Sequence, residues 1–94
     1  MSIEVKHDSD KKTFYAVNDG QVATLDYEPL SDTELEYKRT FVPEELRNQG
    51  IASTIVEHAL EFARKKGYKV RPSCPFVKSY IDEHPRFQEI TTSS

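Results

Sequence analysis

Several kinds of residue are scarce in this chain of 94 residues, and each scarcity excludes something. There is one cysteine, Cys74, and no tryptophan. A single cysteine cannot close an internal disulfide. With three scattered histidines it also gives no ligand spacing of the usual kind, so no metal is expected. No stretch approaches 18 apolar residues, which excludes a membrane-crossing helix. Residues 1–10 are polar and mixed in charge, without the apolar run of a signal peptide. A reducing, cytoplasmic setting with no membrane partner is therefore expected. Basic excess is missing too. The formal net charge is −3, against broad charge-driven binding of nucleic acid. The one basic cluster, Arg64, Lys65, Lys66 and Lys69, reads as the C-terminus of a helix, where cations complement the dipole.

What is present is enough for one modest core. Five Tyr and five Phe must supply much of it. No repeat, linker or low-complexity tract divides the chain, so residues 1–90 read as one domain and 91–94 as a loose tail. Alternation of apolar and polar residues predicts strands over 3–7, 12–17, 21–28 and 34–42. Asn18-Asp19-Gly20 supplies hairpin-turn chemistry between the second and third. In the fourth, Leu35, Tyr37 and Phe41 are expected on one face, with Glu34, Glu36 and Lys38 on the other. The period then changes. Ile55, Val56, Ala59, Phe62 and Ala63 recur at helical spacing over 52–66, and Gly67 sits where a C-terminal cap belongs. A short strand over 68–74 follows. Pro75 opens a second helix to about His84, Pro85 stops it, and Phe87 and Ile90 suit a last extended piece. His7 and His58 read as surface residues. The expected fold is α/β, or α+β by layer: four antiparallel strands, a helical crossover to a parallel fifth, and a further helix.

A crossover of this kind sets the carboxyl ends of the fourth and fifth strands side by side, each followed by a helix N-terminus. Ligands bind at such edges. Residues 41–53 and 73–80 are thus one candidate site from topology alone. Within it, Arg47-Asn48-Gln49-Gly50-Ile51-Ala52-Ser53 joins a loop to a long helix. A helix start presents unpaired N–H groups and partial positive charge, suited to phosphate. Gly50 permits close approach and unusual dihedrals, and Arg47 adds a fixed positive charge. Ordinary helix capping is the competing reading. The segment is not a P-loop, because no lysine follows the glycine at the required position. Nor is it a dinucleotide fingerprint, which needs three glycines.

The same residues carry a family resemblance. Arg47-Asn48-Gln49-Gly50-Ile51-Ala52 resembles the coenzyme-A signature of the GNAT superfamily of N-acetyltransferases: Gln or Arg, two residues, Gly, one residue, then Gly or Ala. Val42-Pro43-Glu44 before it and the helix ending at Lys66-Gly67 resemble the flanks. Ser73, Phe76 and Tyr80 fall near the family's later Asn, Ala and Tyr. Cys74-Pro75-Phe76-Val77 resembles a run in a minimal subfamily of about this length. The resemblance spans roughly residues 21–87. It implies acetyl-CoA as co-substrate and an amine as acceptor. Backbone groups of Phe41 and Val42 would pair with the pantetheine arm, and the N–H groups of Asn48, Gln49, Gly50, Ile51 and Ala52 would bind the pyrophosphate. Ser53 would add a hydroxyl. Tyr80 would protonate the leaving thiolate.

Two departures accompany it. Asn48 stands where the family often has Gly. Only a few polar residues separate Val5 from Thr13, where typical members have two helices that wall the acceptor. Cys74, at a strand end and a helix start, is a candidate nucleophile, against a buried structural thiol. Tyr80 has a buried hydrogen-bonded tyrosine as its alternative. Glu36, on the polar face of the fourth strand, is a weaker candidate base, against simple exposure. Three readings follow: N-acetyl transfer by a monomer or weak dimer, acyl-CoA binding or sensing without catalysis, and a structural domain with no cofactor.

Overall fold

The computed structural model describes residues 4–47 and 49–92. One five-stranded sheet runs in the order β1 (Lys6–Asp8), β2 (Thr13–Asn18), β3 (Gln21–Pro29), β4 (Glu34–Phe41), β5 (Lys69–Pro72). Neighbours are antiparallel until β4 and β5, which pair in parallel across helix α1 (Ile51–Lys66). Helix α2 (Pro75–Glu83) follows β5. This is the expected mixed α+β architecture.

The hairpin between β2 and β3 turns on Asp19 and Gly20, both at positive φ, 52° and 76°. That is the backbone a tight two-residue hairpin requires, and Asp-Gly tolerates it. Phe14, Ala16, Ala23, Leu25, Tyr27, Leu35 and Tyr37 point inward from the sheet. Against them pack Ile55, Val56, Ala59, Leu60 and Ala63 of α1, and Val77 and Ile81 of α2. The Tyr37 hydroxyl donates to the Ala59 carbonyl, fixing α1 on β4 inside the core. Burial pushes the Tyr37 hydroxyl far above the usual phenol range, so it remains a donor. At the far end Gly67, at φ 80°, closes α1. Its N–H and that of Tyr68 return to Arg64 and Ala63 carbonyls, which is how a left-handed glycine satisfies a helix terminus.

Several expectations need correction. The strand expected over 3–7 is observed at Lys6–Asp8, and Ile3 lies outside the described residues. His7 is not a free surface residue. Its ring stacks on Phe14 at 4.3 Å, meets Phe62 edge-on at 4.6 Å and hydrogen-bonds the Tyr27 hydroxyl. The final piece, Pro85–Ile90, is a 3-10 helix rather than extended chain, with Phe87 fully buried. Thr91 and Thr92 are not loose. Thr91 bridges Val70 in parallel, and the Thr92 N–H donates to the Val70 carbonyl at 2.9 Å. Ser93 and Ser94 lie outside the described residues.

The correction with most consequence is in β4. Tyr37 pairs with Tyr27 and Arg39 with Asp26, which leaves Lys38 as an extra residue. Such a bulge bends a strand and reverses the alternation beyond it. Phe41 therefore does not share a face with Leu35 and Tyr37. It lies outward and 55 % exposed, while Thr40, opposite Leu25, turns inward.

Candidate functional site

The pairing of β4 with β5 stops at Tyr37 and Pro72. There the Tyr37 carbonyl accepts from the N–H groups of both Ser73 and Cys74, at 3.2 and 3.1 Å. Beyond that point β4 continues to Phe41 with no strand along its β5 edge, among the described residues. The gap opens into a cleft of about 480 Å³. Thr40, Phe41 and Val42 form one wall. Leu46 and Arg47 close the loop side, and Gly50 to Ser53 form the start of α1. Phe76 of α2 stands at the other side. Phe41 and Phe76 are the large exposed apolar side chains of this wall, at 55 % and 41 %. An unbranched apolar ligand arm would cover them.

The start of α1 is built to leave its N–H groups available. Gly50 caps it at φ 75°, ψ 10°, with no side-chain cap and no acidic residue in the first turn. The Gly50 carbonyl is occupied, accepting from the Thr54 N–H at 3.0 Å and the Thr54 hydroxyl at 2.9 Å. The N–H groups of Ile51, Ala52 and Ser53 have no partner among the described residues. A Cβ placed on Gly50 would meet nothing within 4 Å, so open space lies beside the helix end. The partial positive charge of a 16-residue helix thus faces that space, with no acidic residue in the helix's first turn to offset it.

The loop is held by its own side chains. Arg47 Nε donates to the Val42 carbonyl at 3.2 Å, which anchors the guanidinium over the end of β4. The Gln49 side-chain amide donates to the Glu45 carbonyl at 3.0 Å, and its oxygen accepts from Asn18 at 3.4 Å. The Gln49 side chain therefore braces the loop and does not line the cleft. Asn48 lies outside the described residues.

The candidates for chemistry divide. Cys74 is 5 % exposed at the N-cap of α2, and its Sγ lies 3.4 Å from Thr40 Oγ1. Thr40 lines the cleft, so Cys74 sits one hydrogen bond behind its wall. Thr40 was missed in the sequence because simple alternation does not register the bulge at Lys38. Tyr80 does not line the cleft. It stacks on His84 at 3.9 Å, one helical turn away. Burial and the Glu57 carboxylate push its hydroxyl above the usual phenol range, opposed by Arg86. Arg86 itself bridges Glu57 at 3.0 Å and Glu61 at 2.8 Å on α1. The hydroxyl thus belongs to a polar clasp between α1 and the last turn. Glu36 points to the outer face of the sheet and accepts a hydrogen bond from the Ser73 hydroxyl. Among the described residues no cluster of three metal-ligating side chains occurs.

This arrangement can be set beside known proteins. The sequence model described as GCN5-related N-acetyl-transferase matches residues 13–90, most of the chain. The chain belongs to that family. It is also similar to Protein NATD1 from Gallus gallus and from Mus musculus. Identity is 29 % in each case over 85 residues, covering 88 % of this chain and 77 % of each relative. A GCN5-like protein of Staphylococcus aureus, solved by NMR in solution, superposes with a TM-score of 0.75. It shares 24 % identity and covers 97 % of this chain and 89 % of its own. That likeness establishes the fold of this family member.

Proposed function

We propose that this protein binds acetyl-CoA in the cleft between β4 and α1 and moves the acetyl group to an amine. One observation carries the reading: α1 begins on a left-handed Gly50 with no side-chain cap, its first N–H groups have no partner among the described residues, and open space lies beside Gly50. The family in general uses acetyl-CoA as co-substrate. The pyrophosphate would lie on the N–H groups of Ile51, Ala52 and Ser53, with Arg47 beside it. The pantetheine arm would run along the unpaired end of β4 at Phe41 and Val42, as an added strand does, and between Phe41 and Phe76. The thioester would then reach the neighbourhood of Thr40 and Cys74.

Transfer needs a neutral amine. Its nitrogen lone pair attacks the thioester carbonyl carbon, the C–N bond forms and the C–S bond breaks. The electron pair leaves on sulfur, and the proton lost from nitrogen ends on the thiol or in solvent. Alignment of the two reactants by strand and helix backbone is the main contribution of the fold. Direct attack requires no acyl-enzyme, which agrees with a Cys74 thiol that is buried and hydrogen-bonded to Thr40. A cytoplasmic setting suits this co-substrate, and no helix among the described residues is long and apolar enough to cross a membrane.

Binding without turnover is the second reading. The placement of Tyr80 away from the cleft favours it, because no positioned acid then serves the leaving thiolate. Thiol release from acetyl-CoA, measured over a panel of amines, separates the two. Amine-dependent release supports transfer. Saturable binding with no release above the solvent rate supports a sensing module.

A further inference from the structure

A second cavity, of about 470 Å³, lies among the end of β5, helix α2 and the segment holding Gln88, Thr91 and Thr92. Its size is that of a site for a small molecule. It shares no lining residue with the cleft beside α1. Pro72 and Ile81 give it apolar surface. Its charged lining carries both signs: Arg71 and Lys78 are cationic and Asp82 is anionic.

Lys78 and Asp82 stand four residues apart on α2, in an order that works against the helix. Lys78 is its fourth residue and Asp82 its last but one. A helix favours anions near its start and cations near its end. A lysine placed before its acid is also the weaker order for an ion pair along a helix. The pair is not made. Neither side chain has an ion-pair partner among the described residues. Arg71 carries five N–H donors, and its ion pair with Glu34, through Nε, is long at 3.5 Å. The stability of α2 therefore accounts for neither charge, and a ligand carrying both charges accounts for the two together.

We infer that this cavity binds a small amino acid in its zwitterionic form. The ligand's carboxylate lies toward Lys78 and Arg71, and its ammonium lies toward Asp82. Its carbon skeleton covers Pro72 and Ile81, and the Gln88 amide can serve either charged end. A simple anion would meet Asp82 and a simple cation would meet Lys78 and Arg71, each a juxtaposition of like charge. The inference does not rest on the acetyl-transfer reading: no residue of the first cleft takes part, and no bond is made or broken.

Amide NMR titration of the whole chain with alanine, propionate and ethylamine tests this. The last two each lack one of alanine's charged groups at nearly matched size. Alanine should shift Lys78, Asp82, Gln88 and Thr92 saturably, and should bind at least about tenfold more tightly than either of the others. Lys78→Gln and Asp82→Asn should each weaken alanine about tenfold. Neither variant should lower the melting temperature, because each removes a charge that opposes the helix dipole. Any acetyl-CoA shifts at Gly50 to Ser53 should be the same in both variants as in the wild type. Equal binding of the three probes, no saturable alanine shifts up to about 0.1 M, or unchanged alanine affinity in the two variants overturns the inference. A lower melting temperature in either variant also overturns it, since the charges would then belong to the fold.

Discussion

Gly50 holds φ at 75° in a place where a Cβ would touch nothing. Steric crowding is therefore not the reason for glycine there; backbone conformation and access to the helix end are. Gly50→Glu brings bulk and negative charge to the proposed phosphate position. Acetyl-CoA affinity should fall at least tenfold, about 1.4 kcal/mol or more, while folding stability falls only by the strain of one left-handed residue, about 1–2 kcal/mol, leaving the protein folded at the assay temperature. Calorimetric titration and thermal melting together check this. A loss of binding no larger than the fraction of protein unfolded at the assay temperature would make the site structural. Cys74 makes a separate prediction. With direct attack, Cys74→Ser keeps the small side chain beside Thr40 and should retain turnover within about tenfold, and intact-mass spectra of the wild type should show no acetyl adduct. A trapped acetyl-cysteine, or a loss beyond about a hundredfold on the scale of a missing nucleophile, would place Cys74 in the chemistry. Phe41, exposed on the cleft wall, should matter through area alone. Phe41→Ala should weaken binding by about 1–2 kcal/mol, the scale of a partly buried aromatic, with no change in pH profile.

At the scale of elements, the sequence was readable where one period ruled and unreadable where it broke. The spacing of Ile55, Val56, Ala59 and Ala63 located α1, and Gly67 ended it, because both follow from helix geometry. The loop from Arg47 to Gly50 was readable because its chemistry is local. Lys38 was not readable as a bulge, since one extra residue leaves no compositional mark and depends on pairing with β3. Its effect was to move Phe41 outward and bring Thr40 to the cleft. The surroundings of the Tyr80 hydroxyl are not readable in the sequence for a related reason. Helical spacing gave its face, but Arg86, Glu57 and Glu61 belong to other elements and decide where the hydroxyl lies. The Pro85–Ile90 turn was missed because Phe87 and Ile90 read equally well as extended chain.

The same scale gives a prediction for β1, which is only three residues long and is anchored by His7. Burial against the aromatic core and the neighbouring His58 hold the His7 imidazole below its ordinary 6.5, against an opposing effect of Asp8. In the unfolded chain His7 gains its proton near 6.5, and in the fold it does so lower. Between those values the unfolded state binds more protons, so stability rises with pH. The contribution is complete above about 6.5 and is lost as pH falls through the folded value. Melting temperature should therefore decline on acidification below about pH 6.5, and His7→Gln should flatten that slope. An identical slope in the variant would show that His7 does not anchor β1.

At the scale of the whole molecule, β4 and β5 part to leave the cleft beside the start of α1. The split arises because β5 ends at Pro72 while β4 runs on to Phe41. The account's central claim is that this split, with the uncapped start of α1, is an acetyl-CoA site. Amide NMR titration with acetyl-CoA, on the wild type and on Gly50→Glu, tests that claim most directly. The account predicts saturable shifts centred on residues 40–42 and 50–53 and on Phe76, lost in the variant. No shifts in the wild type at millimolar acetyl-CoA, or equal shifts in both proteins, would contradict it.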